Sequence, residues 1–265
     1  MAGMGSGRIT RMRSESGWRK DRSDAPAGYF AAEAAGLAWL GRAPGGASVV
    51  EVLDVGERHI ILDRLGEVAA TATAAAEFGV ALAATHAAGA TAFGVGPPDG
   101  PGPAWIGRQR LPLGSDQSWG RFYAELRLLP YLRAARDIGN LGAPAAGRIE
   151  RVCDRLRSGE FDDGRPPARI HGDLWGGNLM WTRAGGTLID PAAHGGHGQT
   201  DLAMLDLFGV AWLERIEAAY AEAAGLPADW RDRTGLHQLH PLLVHAVSHG
   251  KAYGEAADRV ARHLV

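Results

Sequence analysis

The chain predicts an α+β protein with two unequal lobes: a small antiparallel-sheet lobe with one helix, then a larger, mainly helical lobe. Three observations carry this. From Gly7 to about Arg64, short runs rich in Val, Ile and Leu surround a single helical pattern. Beyond Gly66, long amphipathic runs dominate. They are interrupted by one compact region near residues 169–191 that holds polar residues between short apolar runs. The lobes are placed at residues 1–65 and 66–265.

In order, Arg8–Ser14 reads as a strand turning back to Gly17–Asp21. Phe30, Leu37 and Leu40 recur at helical spacing within Ala27–Leu40, and Glu33 falls on the same face, three residues after Phe30 and four before Leu37. Ser48–Val55 and Arg58–Leu65, separated by Gly56-Glu57, suit a hairpin. Helices are expected at Thr71–Ala88, Trp119–Ile138, Leu202–Ala224 and Gly235–Leu264, the last breaking near Gly250. The Gly- and Pro-rich Phe93–Gly114 reads as a long surface connection. There is no internal repeat.

Composition narrows the function classes. At 265 residues with 46% hydrophobic side chains, a sizeable core is available. Lys plus Arg number 28 against 30 Asp plus Glu, a net −2, so the positive field that nonspecific phosphate-backbone binding needs is missing and nucleic acid is not expected as a partner. The lone cysteine, Cys153, excludes an intramolecular disulfide and reads as a small core residue. No run of about 18 apolar residues is present and the residues after Met1 do not form an apolar leader, so a cytoplasmic protein without membrane contact is expected.

The densest polar cluster is Arg169-Ile-His-Gly-Asp173-Leu-Trp175-Gly-Gly-Asn178, followed by Leu179-Met-Trp181, a turn at Arg183–Gly186, and Thr187-Leu-Ile-Asp190. If Leu179–Thr182 and Thr187–Ile189 pair antiparallel, Asn178 and Asp190 return to neighbouring positions roughly 5 Å apart. An amide oxygen and a carboxylate converging there suit a hard cation such as Mg²⁺, which keeps coordination positions for phosphate oxygens. Asp173, five residues before Asn178 on a glycine-rich loop, is placed to accept a substrate proton. That spacing follows the logic of kinase-type phosphoryl transfer. The alternative for each residue alone is a turn cap or a strand end.

A phosphoryl-transfer site also needs a cation near the nucleotide phosphates. Lys20 is the only lysine before residue 251, and Glu33 is its expected partner. Gly3-Met-Gly5-Ser-Gly7 has the composition of a phosphate-covering loop, and equally of a flexible start. His194 and His197 with Asp190 raise a metal-dependent hydrolase, but no His-Glu-x-x-His set accompanies them. His86 reads as a core histidine, and Asp201 as a helix cap.

His171-Gly-Asp-Leu-Trp-Gly-Gly-Asn178, Ile189-Asp-Pro191, Gly196-His197 and Asp201-Leu-Ala-Met204 together resemble the fructosamine kinase (ketosamine-3-kinase) family, within the aminoglycoside-phosphotransferase-like kinases. Trp119–Glu125, Arg127–Pro130 and Leu236–Leu239 extend the resemblance along nearly the whole chain. It implies a protein-kinase-like fold. It also implies ATP phosphates held by Lys20 with Glu33, adenine against the backbone at Asp63-Arg64-Leu65, and Mg²⁺ on Asn178 and Asp190. Asp173 would orient or deprotonate the acceptor hydroxyl, and Asp201 would lie near the catalytic loop. The implied substrates are ketosamines, free or on glycated amines and proteins, phosphorylated on the sugar 3-hydroxyl. Trp175 is a candidate wall for the sugar, and His197 a second candidate substrate contact. The chain departs from the family in a shortened N-terminal loop, in Ala193-His194-Gly195, in Gln199 and in Pro241. An aminoglycoside- or choline-type acceptor, or a non-catalytic nucleotide-binding module, are the rival readings.

Overall fold

The computed structural model describes residues 10–13 and 17–265. Gly5 and Gly7, and with them the expected phosphate loop, lie outside the described residues. In the small lobe, strands β1 (Thr10–Arg13) and β2 (Trp18–Asp21) precede helix α1 (Tyr29–Gly41), strand β3 (Ser48–Val49), and strands β4 (Val52–Val55) and β5 (His59–Leu62). The antiparallel sheet runs β1-β2-β5-β4, and Lys20 lies opposite Ile60. Strand alternation turns Arg19 and Asp21 to one face, where they pair at 2.8 Å, and Lys20 to the other, beneath α1. Phe30 and Leu37 of α1 cover Val50, Ile60 and Leu62 to close this lobe's core.

The run Ser48–Val55 does not form one strand. Ser48 and Val49 pair in parallel with Thr187 and Leu188, the Val50 N–H donates to the Leu188 carbonyl at 3.1 Å, and only Val52 onward joins the small sheet, across a register shift between Val52 and Asp54. The chain thereby staples the small lobe to the hairpin that carries the polar cluster.

The larger lobe begins with helix α2 (Ala72–Ala87), capped by the Thr71 hydroxyl accepting from the Ala74 N–H at 3.1 Å. The expected surface connection instead holds a hairpin, β6 (Ala104–Ile106) and β7 (Gln109–Leu111). Ile106 and Leu111 insert into the main core beside Phe93, so apolar residues spaced among glycines and prolines still bury. The Tyr29 hydroxyl donates to the Gly107 carbonyl at 2.9 Å, tying α1 to this hairpin. The helical run Trp119–Asp137 is α3 (Trp119–Phe122), a π turn over Tyr123–Leu128 and α4 (Leu129–Asp137).

Helix α5 (Ala143–Arg157) went unread in the sequence, although Ala145, Ile149, Val152, Cys153 and Leu156 are its buried stripe. Cys153 is fully buried. Strands β8 (Ala168–Ile170), β9 (Leu179–Thr182), β10 (Gly185–Leu188) and β11 (His194–Gly196) frame the polar cluster, with β8 paired to β11 and β9 to β10. The expected helix Leu202–Ala224 is two, α6 (Gln199–Phe208) and α7 (Leu213–Ala223), because Gly209 takes a φ of 77° that stops the first.

Helices α8 (Thr234–His249) and α9 (Lys251–Arg262) divide at Gly250. Pro241 does not break α8. Proline has no N–H for the His237 carbonyl, and the buried Tyr123 hydroxyl, 2.9 Å away, serves that carbonyl instead. Among the described residues no helix is long and apolar enough to cross a membrane.

Candidate active site

The β9–β10 hairpin is tighter than expected. Its turn is Arg183-Ala184, and Gly185 and Gly186 already pair with Thr182 and Trp181. Leu188 faces Leu179, and the Ile189 N–H donates to the Asn178 carbonyl at 3.1 Å, which returns Asp190 to the start of the hairpin. The Asn178 amide nitrogen donates to the Asp173 carbonyl at 2.8 Å and its carboxylate at 3.3 Å, and reaches the Asp190 carbonyl at 3.4 Å. Asp173, Asn178 and Asp190 therefore share one point. Asp190 sits in the left-handed region at φ 54°, a conformation that costs a residue with a side chain about 1–3 kcal/mol.

Lys20 reaches this point from β2. It is 4% exposed, its ammonium lies 2.5 Å from Glu33 Oε1, and it also pairs with the Asp190 carboxylate. Burial works against the charge, but Glu33 and Asp190 more than offset it and hold the lysine above its usual range. Asp173 is raised as well, which for a carboxylate disfavours the charged form. Burial first, then the neighbouring Asp190, push it well above its ordinary value against the Asn178 hydrogen bond.

Behind the loop stands a carboxylate whose sequence reading as a helix cap is corrected. Asp201, 1% exposed in the first turn of α6, turns back to accept from the His171 N–H at 2.7 Å and the Gly172 N–H at 2.9 Å. His86 Nε2 meets it at 3.0 Å, and His86 Nδ1 meets the Tyr220 hydroxyl at 2.7 Å. Burial acts to raise Asp201, yet His86, His171 and the Gly172 amide hold it below the ordinary carboxylate value. Gly172 has φ 78°, and a Cβ there would stand 2.4 Å from the Ala192 carbonyl oxygen, so only glycine fits. The neighbouring His171 ring bonds the Ile189 carbonyl at 2.9 Å through Nε2 and accepts from the Asp173 N–H at 3.2 Å through Nδ1.

Two cavities meet at Lys20 and Asp190. One, ≈ 330 Å³, is lined by Asp173, Asn178 and the aromatic faces of Tyr29, Trp105 and Trp175. The other, ≈ 770 Å³, has apolar walls in Val50, Leu62, Met180 and Ile189, with Asp63, Arg64 and Leu65 along its edge. The Asp63 side chain holds the Arg64 N–H at 2.7 Å, which shapes that edge. Trp175 is 44% exposed, so one of its faces is available to the first cavity.

His197 joins neither cavity. It is buried between Trp119 and His237, with Nε2 3.1 Å from Asp163, so as a substrate contact it is corrected to a core residue. His194 is buried as well, with Nδ1 2.8 Å from the Ala192 carbonyl and Nε2 facing Arg127, so the two histidines and Asp190 do not converge as metal ligands. His86 is the buried core histidine expected of it, and its ring backs Asp201, which stands behind the loop where the family resemblance put it rather than capping its helix. The signal for Asp201 lay only in the Asp-Leu-Ala-Met run, and none marked His86 as its partner.

The donor set fits a hard cation. Asn178 spends its amide nitrogen on three acceptors, which leaves its oxygen to offer, and Asp190 already gathers the Lys20 ammonium. No cluster of three His, Cys, Asp or Glu suited to a metal occurs among the described residues. An ion here would take Asn178 and Asp190 from the protein and its remaining oxygens from phosphate and water, as Mg²⁺ does.

The fructosamine kinase family model matches residues 18–265. A probable ketoamine kinase of Thermus thermophilus is 32% identical over 235 residues, covering 88% of this chain and 82% of that one. Matches to other probable ketoamine kinases span 51% to 54% of those proteins' lengths. The crystal structure of a candidate fructosamine-3-kinase from Thermobifida fusca is 45% identical with a TM-score of 0.85, covering 93% of this chain and 84% of that one. A thermostable mutant of an aminoglycoside phosphotransferase, solved as a ternary complex with AMP-PNP and hygromycin B, shares the fold at 18% identity and a TM-score of 0.56, over 96% of this chain and 93% of that one. With the family model spanning nearly the whole chain, the protein belongs to the fructosamine kinase family of phosphotransferases, on the two-lobed kinase-like fold.

Proposed function

We propose that the protein transfers the γ-phosphoryl group of ATP to the sugar 3-hydroxyl of a ketosamine, with residues 1–65 as the nucleotide lobe and 66–265 as the acceptor lobe. The observation that carries this is the meeting of the two cavities at Lys20 and Asp190, with Asp173 on the side away from the apolar cavity. The apolar walls of Val50, Met180 and Ile189 suit an adenine ring, and the backbone at Asp63-Arg64-Leu65 suits its edge. Lys20, steered by Glu33, sets a positive charge against the phosphates. The Asn178 oxygen and the Asp190 carboxylate would hold Mg²⁺, which would supply charge neutralisation at the transferring group.

On the other side, Trp175 offers a face on which a sugar ring can lie. Asp173 points at the incoming hydroxyl and accepts its proton. The burial and neighbouring carboxylate that raise its proton affinity make it a stronger base than an exposed aspartate. Holding donor and acceptor in line does most of the remaining work. The test is incubation with ATP, Mg²⁺ and fructosyl-lysine or ribosyl-lysine, with the product read by phosphorus and carbon NMR. One phosphate on the sugar 3-carbon is expected. Transfer only to an aminoglycoside or choline-type alcohol would overturn the acceptor, and ATP binding without transfer to any acceptor would overturn the enzyme.

A further inference from the structure

Among the described residues Arg127 is the largest fully buried side chain, and no carboxylate there pairs with it. Burial brings the guanidinium down to about 10, which leaves it cationic at neutral pH. An uncompensated buried charge is expensive, and a methionine would fill the same volume. The arginine is held by directed bonds. It stands in the π turn between α3 and α4, stacks 4.6 Å over Phe122, and donates from Nη1 to the Pro112 carbonyl at 2.7 Å and the Leu126 carbonyl at 2.9 Å. From Nε it faces His194 Nε2 at 3.3 Å.

That last contact fixes the imidazole. With Nε2 accepting, the ring proton sits on Nδ1, which donates to the Ala192 carbonyl at 2.8 Å. The Ala192 N–H in turn donates to the His171 carbonyl at 2.9 Å, one residue before Gly172. The His194 ring also underlies the loop directly, because a Cβ on Gly172 would meet His194 Nδ1 and Cε1 at 2.9 Å. Leu113, next to Pro112, lines the smaller cavity together with Ala192 and Ala193.

We propose that Arg127 and His194 form a positioning pair. Arg127 locks the His194 tautomer, and the pair together sets both the wall of the acceptor cavity and the height of the loop that carries Asp173. The claim rests on the reading above that this cavity takes the acceptor.

Two measurements on the full chain test it. Long-range ¹⁵N–¹H spectra of wild type should show His194 neutral and protonated on Nδ1, and in Arg127→Met the Gly172 and Asp173 amides should exchange faster. In kinetics, Arg127→Met and His194→Phe should each lower kcat/KM for the ketosamine by roughly 10–100-fold while AMP-PNP affinity stays within about twofold. The double variant should be no worse than Arg127→Met alone, as expected of one coupled unit. His194→Phe keeps an aromatic ring beneath Gly172 and removes only its nitrogens' bonds, so a folding defect in Arg127→Met still leaves an informative variant. An Nε2-protonated His194 overturns the proposal. Folded variants with unchanged amide exchange, or with single effects that simply add, overturn it as well. Should wild type phosphorylate no ketosamine, the acceptor reading fails, while tautomer and exchange still decide the pair.

Discussion

The loop 171–178 has a front and a back, and each holds one aspartate in a different setting. At the back, Asp201 receives two backbone N–H groups and faces His86, and these hold its proton affinity below the ordinary carboxylate range. At the front, Asp173 has the Asn178 amide nitrogen as its hydrogen-bond partner and Asp190 as a like-charged neighbour, and its proton affinity is raised. The same residue type thus serves two ends, set by donors on one side and by burial with repulsion on the other. A saturated carboxylate makes a rigid support, and an under-saturated one is left with capacity for an incoming proton.

Removing the support should cost most. Asp201→Ala leaves two buried amides and His86 without their acceptor, so a loss of about 3–5 kcal/mol is expected in urea unfolding, with activity falling alongside. Gly172→Ala tests the junction of front and back. A left-handed φ and a 2.4 Å approach to the Ala192 carbonyl predict a loss of about 2 kcal/mol together with slower transfer, and unchanged stability would show that the loop has room.

Trp175→Ala belongs to the front alone. Its half-exposed ring predicts a rise in acceptor KM of about 5–10-fold, near 1 kcal/mol, with unfolding midpoints unmoved. The smallest effect is in acid. A carboxylate whose folded value is lowered adds stability above its ordinary value near 3.8, and loses it as the pH falls through the lowered folded value. Wild type should therefore lose stability below about pH 4 more steeply than Asp201→Asn, and parallel curves would remove Asp201 as the source.

The front was legible in the sequence from local spacing, whereas only the family resemblance placed Asp201 near the loop, for a reason of distance. Asp173, Asn178 and Asp190 lie within one loop and one hairpin, where strand pairing alone fixes which ends return to each other. Lys20 and Glu33 needed only strand alternation and helix periodicity on adjacent elements. Asp201 works through the His171 and Gly172 amides and through His86, 115 residues away, and no local period records a contact of that kind. At the head of its helix it has the same appearance as a cap.

His197 was misplaced for a similar reason. Its neighbours Trp119, Asp163 and His237 come from three distant segments that enclose it. Helix α5 carried its signal in plain spacing, but its start at Gly142-Ala143-Pro144 has the composition of a turn. Ser48–Val49 reads as part of a hairpin because nothing local says that a parallel partner waits at Thr187.

The most direct test of the front as the chemical side is single-turnover transfer from ATP to fructosyl-lysine in wild type and Asp173→Asn. The variant is expected to bind AMP-PNP within about twofold of wild type yet to transfer about 10²–10⁴-fold more slowly, the range lost with a positioned base. Transfer by Asp173→Asn at the wild-type rate would contradict the assignment of Asp173 as proton acceptor.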